Sequence, residues 1–183
     1  MEKTPKGTLL IANPFLKDPN FLRTVVVLCD HEEEGSFGFV LNRPFDMKLG
    51  EAVPELKDSD IPLYIGGPVQ LESLHFLHEV PDLISDGEEI LPGIFYGGNF
   101  EQLKIHLENG TIPESRIRFF IGYSGWSGGQ LENELTEDSW ITTMATRKLI
   151  FDTEADQVWK ESLRKMGGKY EELINYPIDP QLN

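Results

Sequence analysis

The sequence predicts an α+β fold in which a few helices pack on a largely antiparallel sheet. Two apolar runs rich in β-branched and aromatic residues, 23–30 and 37–43, flank the charged segment HEEEGS and are typical of a β-hairpin. Helical periodicity is confined to short stretches, of which 99–110 and 153–166 are the clearest. The chain lacks the regular alternation of strands and helices that builds a parallel sheet.

The chain of 183 residues has the length of one domain, and it contains neither internal repeats nor a low-complexity linker. We therefore predict a single domain over 1–183, with a core at about 7–166 and a C-terminal tail at 167–183. The segment INYPIDPQLN in this tail carries two prolines and is expected on the surface.

The remaining strands are predicted from short apolar runs that are bounded by glycine, proline or polar clusters. In chain order these runs are 7–13, 62–69, 74–80, 93–98, 116–124 and 139–145. Residues 148–153 are predicted to be extended as well, whereas the acidic stretch 81–92 is expected to be a loop.

Four segments have helical character. The segment 48–56 is short and contains a proline, and QLENEL, after a pair of glycines, can form a second short helix. The segment 99–110 begins with a capping-box pattern and ends at a glycine. The segment 153–166 has an apolar face and is followed by two glycines, which predicts a helix that ends there.

Composition and charge restrict the possible partners. The net charge is −15, with a pI near 4.6, and such a field repels phosphate backbones and anionic membranes. The single cysteine, Cys29, lies in the apolar run TVVVLC and is expected to be a small buried hydrophobe. The chain has no apolar stretch approaching the ~20 residues that span a membrane. Its first residues, MEKTPKGTLL, lack the apolar segment of a signal peptide. We expect a cytoplasmic protein.

The stretch GYSGWSGGQLENEL (122–135) raises the question of catalysis, because GWSGG fits the G-x-S-x-G nucleophile elbow of hydrolases. A catalytic Ser127 would need a histidine base oriented by a carboxylate. In the α/β-hydrolase order that histidine follows the serine, but all four histidines of this chain precede Ser127. The sequence therefore favours a non-catalytic serine.

The glycines of this stretch have another explanation. Gly122, Gly125, Gly128 and Gly129 supply positive φ angles and allow close backbone approach. Two glycines ahead of QLENEL also leave backbone N–H groups free at a helix start, where anions bind. Trp126 belongs either to the core or to a recognition surface.

Two other groups of polar residues are candidates for function. His75 and His78 point to opposite faces if they lie on a strand and cannot then share a metal ion, whereas on a helix they can. We predict no metal site and no cofactor. Arg23, Asn42 and Arg43 flank the hairpin, and arginine binds carboxylate or phosphate well. Each arginine can instead pair with one of the 31 acidic residues.

Three stretches together resemble the AlgH/YqgE family of small bacterial proteins. They are DPNFLRTVVVLCDHEEEGSFGFVLNRP (18–44), IGGPV (65–69) and GYSGWSGGQLENEL (122–135). Their order and spacing also match, from Gly7 to about Met166. The family's glycine-rich motif typically reads G-Y-x-G-W-x-x-G-Q-L-E, with other small residues at the position of Ser127. The tail after Met166 departs from the commonest family ending.

The resemblance implies a compact α+β fold whose sheet is rolled into a pseudo-barrel. It also implies a family named for a proposed regulator of alginate production, with no established catalytic residues. We therefore expect a non-enzymatic binding or regulatory protein that acts through a protein or small-molecule partner. Hydrolysis by Ser127 or a carboxylate is the alternative. Direct DNA binding is disfavoured by the charge and by the lack of a clear helix-turn-helix.

We expect the ligand-binding surface to combine two groups of residues. The hairpin contributes Arg23, Asn42 and Arg43. The glycine-rich loop contributes Tyr123, Trp126, Gly128, Gly129 and Gln130.

Overall fold

The computed structural model describes residues 4–177 and has the α+β architecture predicted from the sequence. Within these residues the strands are β1 (Thr8–Ala12), β2 (Val25–Glu32), β3 (Gly35–Val40), β4 (Pro44–Lys48), β5 (Pro62–Ile65), β6 (Val69–His78), β7 (Glu88–Leu91), β8 (Ile94–Tyr96), β9 (Ile117–Ser127) and β10 (Trp140–Met144). The α-helices are α1 (Leu49–Ala52), α2 (Phe100–Glu108), α3 (Gln130–Thr136), α4 (Ala155–Met166) and α5 (Lys169–Glu172). Short 3₁₀ helices span Pro54–Leu56, Glu114–Arg116 and Leu173–Asn175, and a π-helix spans Lys148–Asp152.

The sheet is antiparallel along its main path, which confirms the prediction. The strands lie in the order β10-β1-β2-β3-β9-β6-β8-β7. The short β5 joins the side of β9 as a parallel neighbour, and β4 pairs with β5. The predicted hairpin over 23–43 is present as β2 and β3, paired from Val26↔Val40 to Glu32↔Gly35.

The sheet curls into a half-barrel, in agreement with the pseudo-barrel that the family resemblance implied. The last strand of the path, β7, returns to the chain that enters β1. A Cβ atom at Gly7 would lie 2.6 Å from the carbonyl oxygen of Ile90. The ammonium group of Lys6 contacts the carboxylate of Glu88 on β7. The sheet therefore has an interior face, which is turned toward the helices near the C-terminus.

Apolar side chains fill the interior of the half-barrel. The largest cluster includes alternate residues of the central strands, such as Leu9, Val27, Phe39 and Phe120, none of which is exposed. Helix α4 packs on this cluster, and the indole N–H of its Trp159 donates to the Ala12 carbonyl at 2.9 Å. The helix predicted over 153–166 is confirmed as α4, and it closes one side of the interior.

Two further clusters lie on the outer face of the sheet. One joins α3 to β1, β2 and β9 through Leu131, Leu10, Val26 and Trp126. The other lies among α1, α2 and the strands β5, β6 and β9. The helices predicted at 48–56 and 99–110 are present as α1, with its 3₁₀ extension, and α2, and the Asn99 carboxamide accepts from the Gln102 N–H at 3.0 Å.

Three stretches differ from the prediction. Residues 148–153, predicted as extended, contain a π-helix, because a short buried apolar run has no periodicity that separates helix from strand. Residues 44–48, of which only Lys48 was placed in a predicted element, the helical segment 48–56, form the strand β4. Residues 88–91, expected in a loop, form the strand β7. Both are short, polar strands away from the centre of the sheet, where the hydrophobic pattern is weakest.

The predicted C-terminal tail is partly helical. It contains α5 and a 3₁₀ helix up to Asn175, and residues 178–183 lie outside the part that the structure describes. Over residues 4–177, no helix combines the length and the apolar character that crossing a membrane requires.

Candidate functional site

The glycine-rich stretch joins the end of β9 to the start of α3. Gly129 is the N-cap residue of α3 and adopts a φ of 81°. A Cβ atom at Gly128 would lie 2.5 Å from the carbonyl oxygen of Glu33. One glycine is therefore required by its backbone conformation and the other by the close approach of the hairpin tip. Both have a structural reason that does not involve a ligand.

The carboxylate of Glu134 on α3 holds the aromatic residues of this region in place. Its Oε2 accepts from the indole N–H of Trp126 and from the indole N–H of Trp140, at 2.8 Å each. Its Oε1 accepts from the side-chain amide of Gln130 at 3.1 Å. Trp126 is buried, with 5% exposure, so it belongs to the core while one part of its surface remains accessible.

Ser127 lacks the surroundings of a nucleophile. Its hydroxyl donates to the Gln130 side-chain oxygen at 3.3 Å, and its backbone N–H donates to the same oxygen at 3.1 Å. The serine and the glutamine thus close the turn into α3. A carboxamide oxygen cannot serve as the general base that a serine nucleophile needs.

The hairpin residues expected at the binding surface have structural roles. The Asn42 side chain accepts from the Val25 N–H at 3.1 Å and donates to the Arg23 carbonyl at 2.9 Å. Arg43 donates to the Pro19 carbonyl at 3.0 Å. Arg23 donates to a carbonyl near the C-terminus and lies over the Trp159 ring, 4.7 Å from its centroid. Burial lowers the pKa of both guanidinium groups.

The structure does not bring the two predicted groups together. Arg23 precedes the first residue of β2, whereas Ser127 pairs with Gly35 at the other end of the hairpin. An eight-residue strand separates them, which corresponds to roughly 25 Å at about 3.3 Å per residue. The expectation of one combined surface is therefore wrong, because the arginines and the glycine-rich loop lie at opposite ends of the hairpin.

A pocket of about 570 Å³ lies where the interior of the half-barrel opens beside the glycine-rich stretch. Of the predicted site residues, Tyr123 and Trp126 line it. We call it the aromatic pocket. Its lining residues are Gly35, Ser36, Phe37, Val69, His75, Tyr96, Tyr123, Gly125 and Trp126.

The aromatic pocket forms because two neighbouring strands separate. The pairing of β6 with β9 passes from Val69↔Tyr123 directly to Leu74↔Ile121, so that residues 70–73 leave the ladder. Gly122 at this point has φ 67°, and a Cβ atom there would lie 2.6 Å from the Gly67 carbonyl oxygen. The bulge on β6 and the kink on β9 leave the space that the aromatic rings surround.

Aromatic rings meet at steep angles around the pocket. The ring of Tyr123 makes an angle of 80° with that of Phe37 and of 82° with that of His75, at centroid distances of 6.2 and 5.9 Å. Phe37 also lies 5.3 Å from Tyr96, at 65°. Phe37 also contacts Phe39, which belongs to the interior cluster. The pocket is therefore continuous with the apolar interior of the half-barrel.

Burial favours the neutral forms of His75 and Tyr96, two polar side chains in the wall of the pocket. The Nε2 atom of His75 lies 2.9 Å from the Ser73 hydroxyl, and its Nδ1 lies 3.3 Å from the Tyr96 hydroxyl. Burial lowers the pKa of His75, and burial with nearby negative groups, Glu88 among them, raises the pKa of Tyr96. Within the part of the chain that the structure describes, the lining contains no lysine, arginine, aspartate or glutamate.

A second histidine stands at the edge of the pocket. The Nδ1 atom of His31 lies 2.5 Å from the hydroxyl of Ser36, which lines the pocket. Its Nε2 lies 3.2 Å from a carboxylate oxygen of Glu132 on α3. A serine, a histidine and a carboxylate are therefore connected in series, with His31 only 10% exposed.

His78 does not share the environment of His75. It is fully buried, its Nε2 lies 2.8 Å from the Gly97 carbonyl, and its Nδ1 accepts from the Val80 N–H at 3.2 Å. Both ring nitrogens are thus occupied within the protein, and burial lowers the pKa of this imidazole. Both histidines lie on strand β6, three residues apart, where the sequence predicts that they point to opposite faces.

Several pocket residues were not identified from the sequence. Phe37, Val69 and Tyr96 stand in ordinary apolar strand runs, and Ser36 was assigned to a charged turn. The signal for the pocket is the glycine-containing segment IGGPV (65–69) opposite GYSG (122–125), where both strands must kink. Which strand lies opposite each kink is decided by the pairing of β6 with β9, and the local sequence pattern does not predict that pairing.

The curled antiparallel sheet, with helices packed on it and an aromatic pocket at the opening of the half-barrel, places this chain in the class of small α+β proteins. The sequence model of the AlgH-like family (DUF179) matches residues 9–171. The chain belongs to this family.

Relatives in other bacteria match over the whole length. A UPF0301 protein of Chlorobaculum tepidum is 46% identical over 177 residues, which cover 97% of this chain and 95% of the relative. A UPF0301 protein of Cytophaga hutchinsonii is 41% identical, with 97% and 98% covered.

Solved structures agree with the fold. The AlgH protein of Pseudomonas aeruginosa, solved in solution, is similar with a TM-score of 0.75 and 31% identity, covering 97% of this chain and 98% of that protein. A Corynebacterium diphtheriae protein has a TM-score of 0.80 at 21% identity, covering 96% and 94% of the two chains, and supports the fold alone.

Proposed function

We propose that this chain is a cytoplasmic, non-enzymatic binding protein whose aromatic pocket takes a small molecule and whose bound state regulates a partner. The observation that carries the proposal is a pocket of about 570 Å³ at the opening of the half-barrel, lined mainly by aromatic rings. Pockets of about 300–1,000 Å³ with an apolar lining and a few polar groups are typical ligand sites, and the opening of a β-barrel is a common place for them.

A regulatory role of this kind does not require contact with DNA. The net charge of −15 opposes binding to a phosphate backbone, so any effect on transcription is expected to pass through a protein or small-molecule partner. The arginines at the far end of the hairpin, Arg23 and Arg43, bind backbone carbonyls rather than presenting two free cations.

The test is thermal unfolding in the presence of the small-molecule fraction of a bacterial extract. A ligand that binds only the folded state raises Tm by mass action. The variant Gly125→Val fills the pocket, since a Cβ atom there points at the Tyr123 ring, 3.3 Å from its nearest carbon, and the position has no positive φ.

We expect the extract to raise the Tm of the wild type and not that of Gly125→Val. Ser127→Val is the matched control, because it introduces valine on the same strand at an exposed position outside the pocket lining. Equal shifts in the wild type and Gly125→Val would assign the ligand to another site, and no shift in the wild type would argue against the proposal.

One observation favours a second candidate function, hydrolysis of an ester. The series Ser36–His31–Glu132 contains the three groups of a serine hydrolase, although it uses Ser36 rather than the Ser127 expected from the sequence. In the His31 tautomer that carries its proton on Nε2, this N–H donates to Glu132, and Nδ1 accepts from the Ser36 hydroxyl.

Labelling with a serine-reactive fluorophosphonate separates the two functions. The binding function predicts no labelling of the wild type. The hydrolase function predicts labelling that is lost in Ser36→Ala and kept in Ser127→Ala. Because both serines belong to the same region of the sheet, the pair of variants also controls for local effects on folding.

A further inference from the structure

We propose that the ligand of the aromatic pocket is an organic cation of the quaternary ammonium class, in which a trimethylammonium group lies among the rings of Phe37, Tyr96 and Tyr123. The inference rests on the binding function proposed above and adds the chemistry of the ligand. Four observations support it, and they concern the ring geometry, the lining, the surrounding charge and the polar atoms.

The aromatic rings surround the pocket on several sides. Tyr123 is nearly perpendicular to Phe37 and to His75, at 80° and 82°, and Tyr96 is inclined to Phe37 at 65°. Rings set at steep angles around a common space can present more than one π face to a compact group. The face of an aromatic ring attracts a cation within about 6 Å of its centroid, and aromatic cages recognise quaternary ammonium groups in this way.

The described lining residues supply no positive charge, which suits a ligand that is itself a cation. Among residues 4–177 no basic side chain lines the pocket, and burial lowers the pKa of His75 because the cationic form is disfavoured there. An anionic ligand would therefore find no lysine or arginine to pair with. The described lining residues include no carboxylate either, so a cation would be held by the rings and by the field of the protein.

The charge around the pocket is negative. The hairpin tip next to Gly35 carries the exposed carboxylates of Glu32, Glu33 and Glu34. Glu88 acts on the pKa of the Tyr96 hydroxyl, but its carboxylate also contacts the ammonium group of Lys6, so the negative field at the pocket comes mainly from the hairpin tip. The whole chain has a net charge of −15, and a field of one sign raises the local concentration of the oppositely charged ligand.

The polar atoms suit a cation without N–H groups. The His75 ring and the Tyr96 hydroxyl are already connected to each other and to Ser73, and the Ser36 hydroxyl is engaged by His31. A primary ammonium ion would lose hydration without gaining three acceptors, and burying an unpaired donor is costly. A quaternary ammonium ion has no N–H donor to satisfy, so it avoids this penalty.

The test compares a cation with its neutral isostere. Choline and 3,3-dimethylbutan-1-ol have the same shape, and only choline is charged. Both are titrated into the isotopically labelled full chain, and the amide shifts of β3 and β9 are followed by NMR. We expect choline to bind at least about tenfold more tightly, and to weaken between about 20 mM and about 500 mM salt as electrostatic attraction is screened.

Two variants test whether the preference for choline over its neutral isostere comes from the aromatic ring of Tyr123. Tyr123→Phe keeps a π face and is expected to retain the preference for choline, whereas Tyr123→Leu keeps apolar bulk and is expected to lose it. Thermal unfolding of each variant shows whether it is folded. If Tyr123→Leu does not fold, Gly125→Val replaces it and is expected to abolish binding of both probes.

The outcomes separate this inference from the function on which it rests. Equal or tighter binding of the neutral isostere overturns the cation proposal and leaves a pocket that binds neutral apolar ligands. Shifts that map outside the pocket, or no shift with choline, also overturn it. The binding function itself then stands or falls with the extract experiment.

Discussion

Glu134 connects the indole N–H groups of two buried tryptophans through one carboxylate oxygen, at 2.8 Å each. The sequence leaves Trp126 between core and recognition surface, and the structure places it in the core, beside the aromatic pocket. The residue contributes a buried indole to the outer core and an edge to the aromatic pocket. A single sequence does not reveal this, because the hydrogen-bond acceptor lies eight residues away on another element.

Replacement of Glu134 by leucine is expected to lower the free energy of unfolding by about 3 kcal/mol, because two buried donors lose their acceptor at about 1–3 kcal/mol each. Glu134→Gln keeps one acceptor oxygen and is expected to cost less. Urea denaturation measures both. Glu137→Leu, at an exposed position after the same helix, is the control, and an equal effect there would contradict the assigned role of Glu134.

Cys29 was expected to be a small buried hydrophobe, and the structure confirms this. The side chain is fully buried, and burial raises the pKa of its thiol well above the usual range. Since the thiolate is the reactive form, we expect no reaction with a thiol-specific disulfide reagent in the native protein and rapid reaction in urea. Rapid modification under native conditions would show that the interior of the half-barrel opens.

At the scale of the elements, the confirmed predictions are those with a strong local signal. The β2–β3 hairpin and α4 each repeat one apolar pattern over enough residues to identify their type. The strands β4 and β7 have four or five residues of mixed polarity, so their local signal is weak; β4 pairs with β5, beyond α1, and β7 forms a tight hairpin with the neighbouring β8. The candidate site was only half predicted because its two walls, β3 and β9 with β6, meet through long-range pairing.

The junction between β9 and α3 gives a test of the two glycine roles. We expect Gly129→Ala to lower stability by about 1–2 kcal/mol because φ 81° strains an L-residue. Gly129→Asn is expected to recover part of this loss, because asparagine tolerates the left-handed region better.

Gly128 should respond differently, because its constraint is steric rather than a matter of its φ. Any side chain at this position would bring its Cβ atom to 2.5 Å from the Glu33 carbonyl oxygen. We expect Gly128→Ala and Gly128→Asn to be equally disruptive. Chemical denaturation of the four variants is the measurement. A recovery by asparagine at Gly128 similar to that at Gly129 would contradict the distinction.

The whole molecule should lose stability as the pH falls from about 8 to about 5.5. Burial lowers the pKa of His75 and of His78 in the folded state, so the unfolded chain binds protons first, near pH 6.5. The free energy of unfolding is thus constant above this pH and decreases below it until the folded-state pKa is reached.

Urea denaturation across this range measures the effect. His78→Gln removes one of the two groups, and we expect its stability to depend less on pH than that of the wild type. An unchanged slope in this variant would contradict the account. Measurement above pH 5 keeps most carboxylates ionised, which limits their contribution to the slope.

At the scale of the whole fold, the charge, the half-barrel and the pocket lead to one claim, that the opening of the half-barrel is a ligand site. The measurement that tests it most directly is native mass spectrometry of gently purified wild-type protein and of Gly125→Val, each compared with its denatured mass. We predict extra mass on the wild type that is lost on denaturation and absent from the variant. A clean apo mass for the wild type, or the same extra mass on both proteins, would contradict the claim.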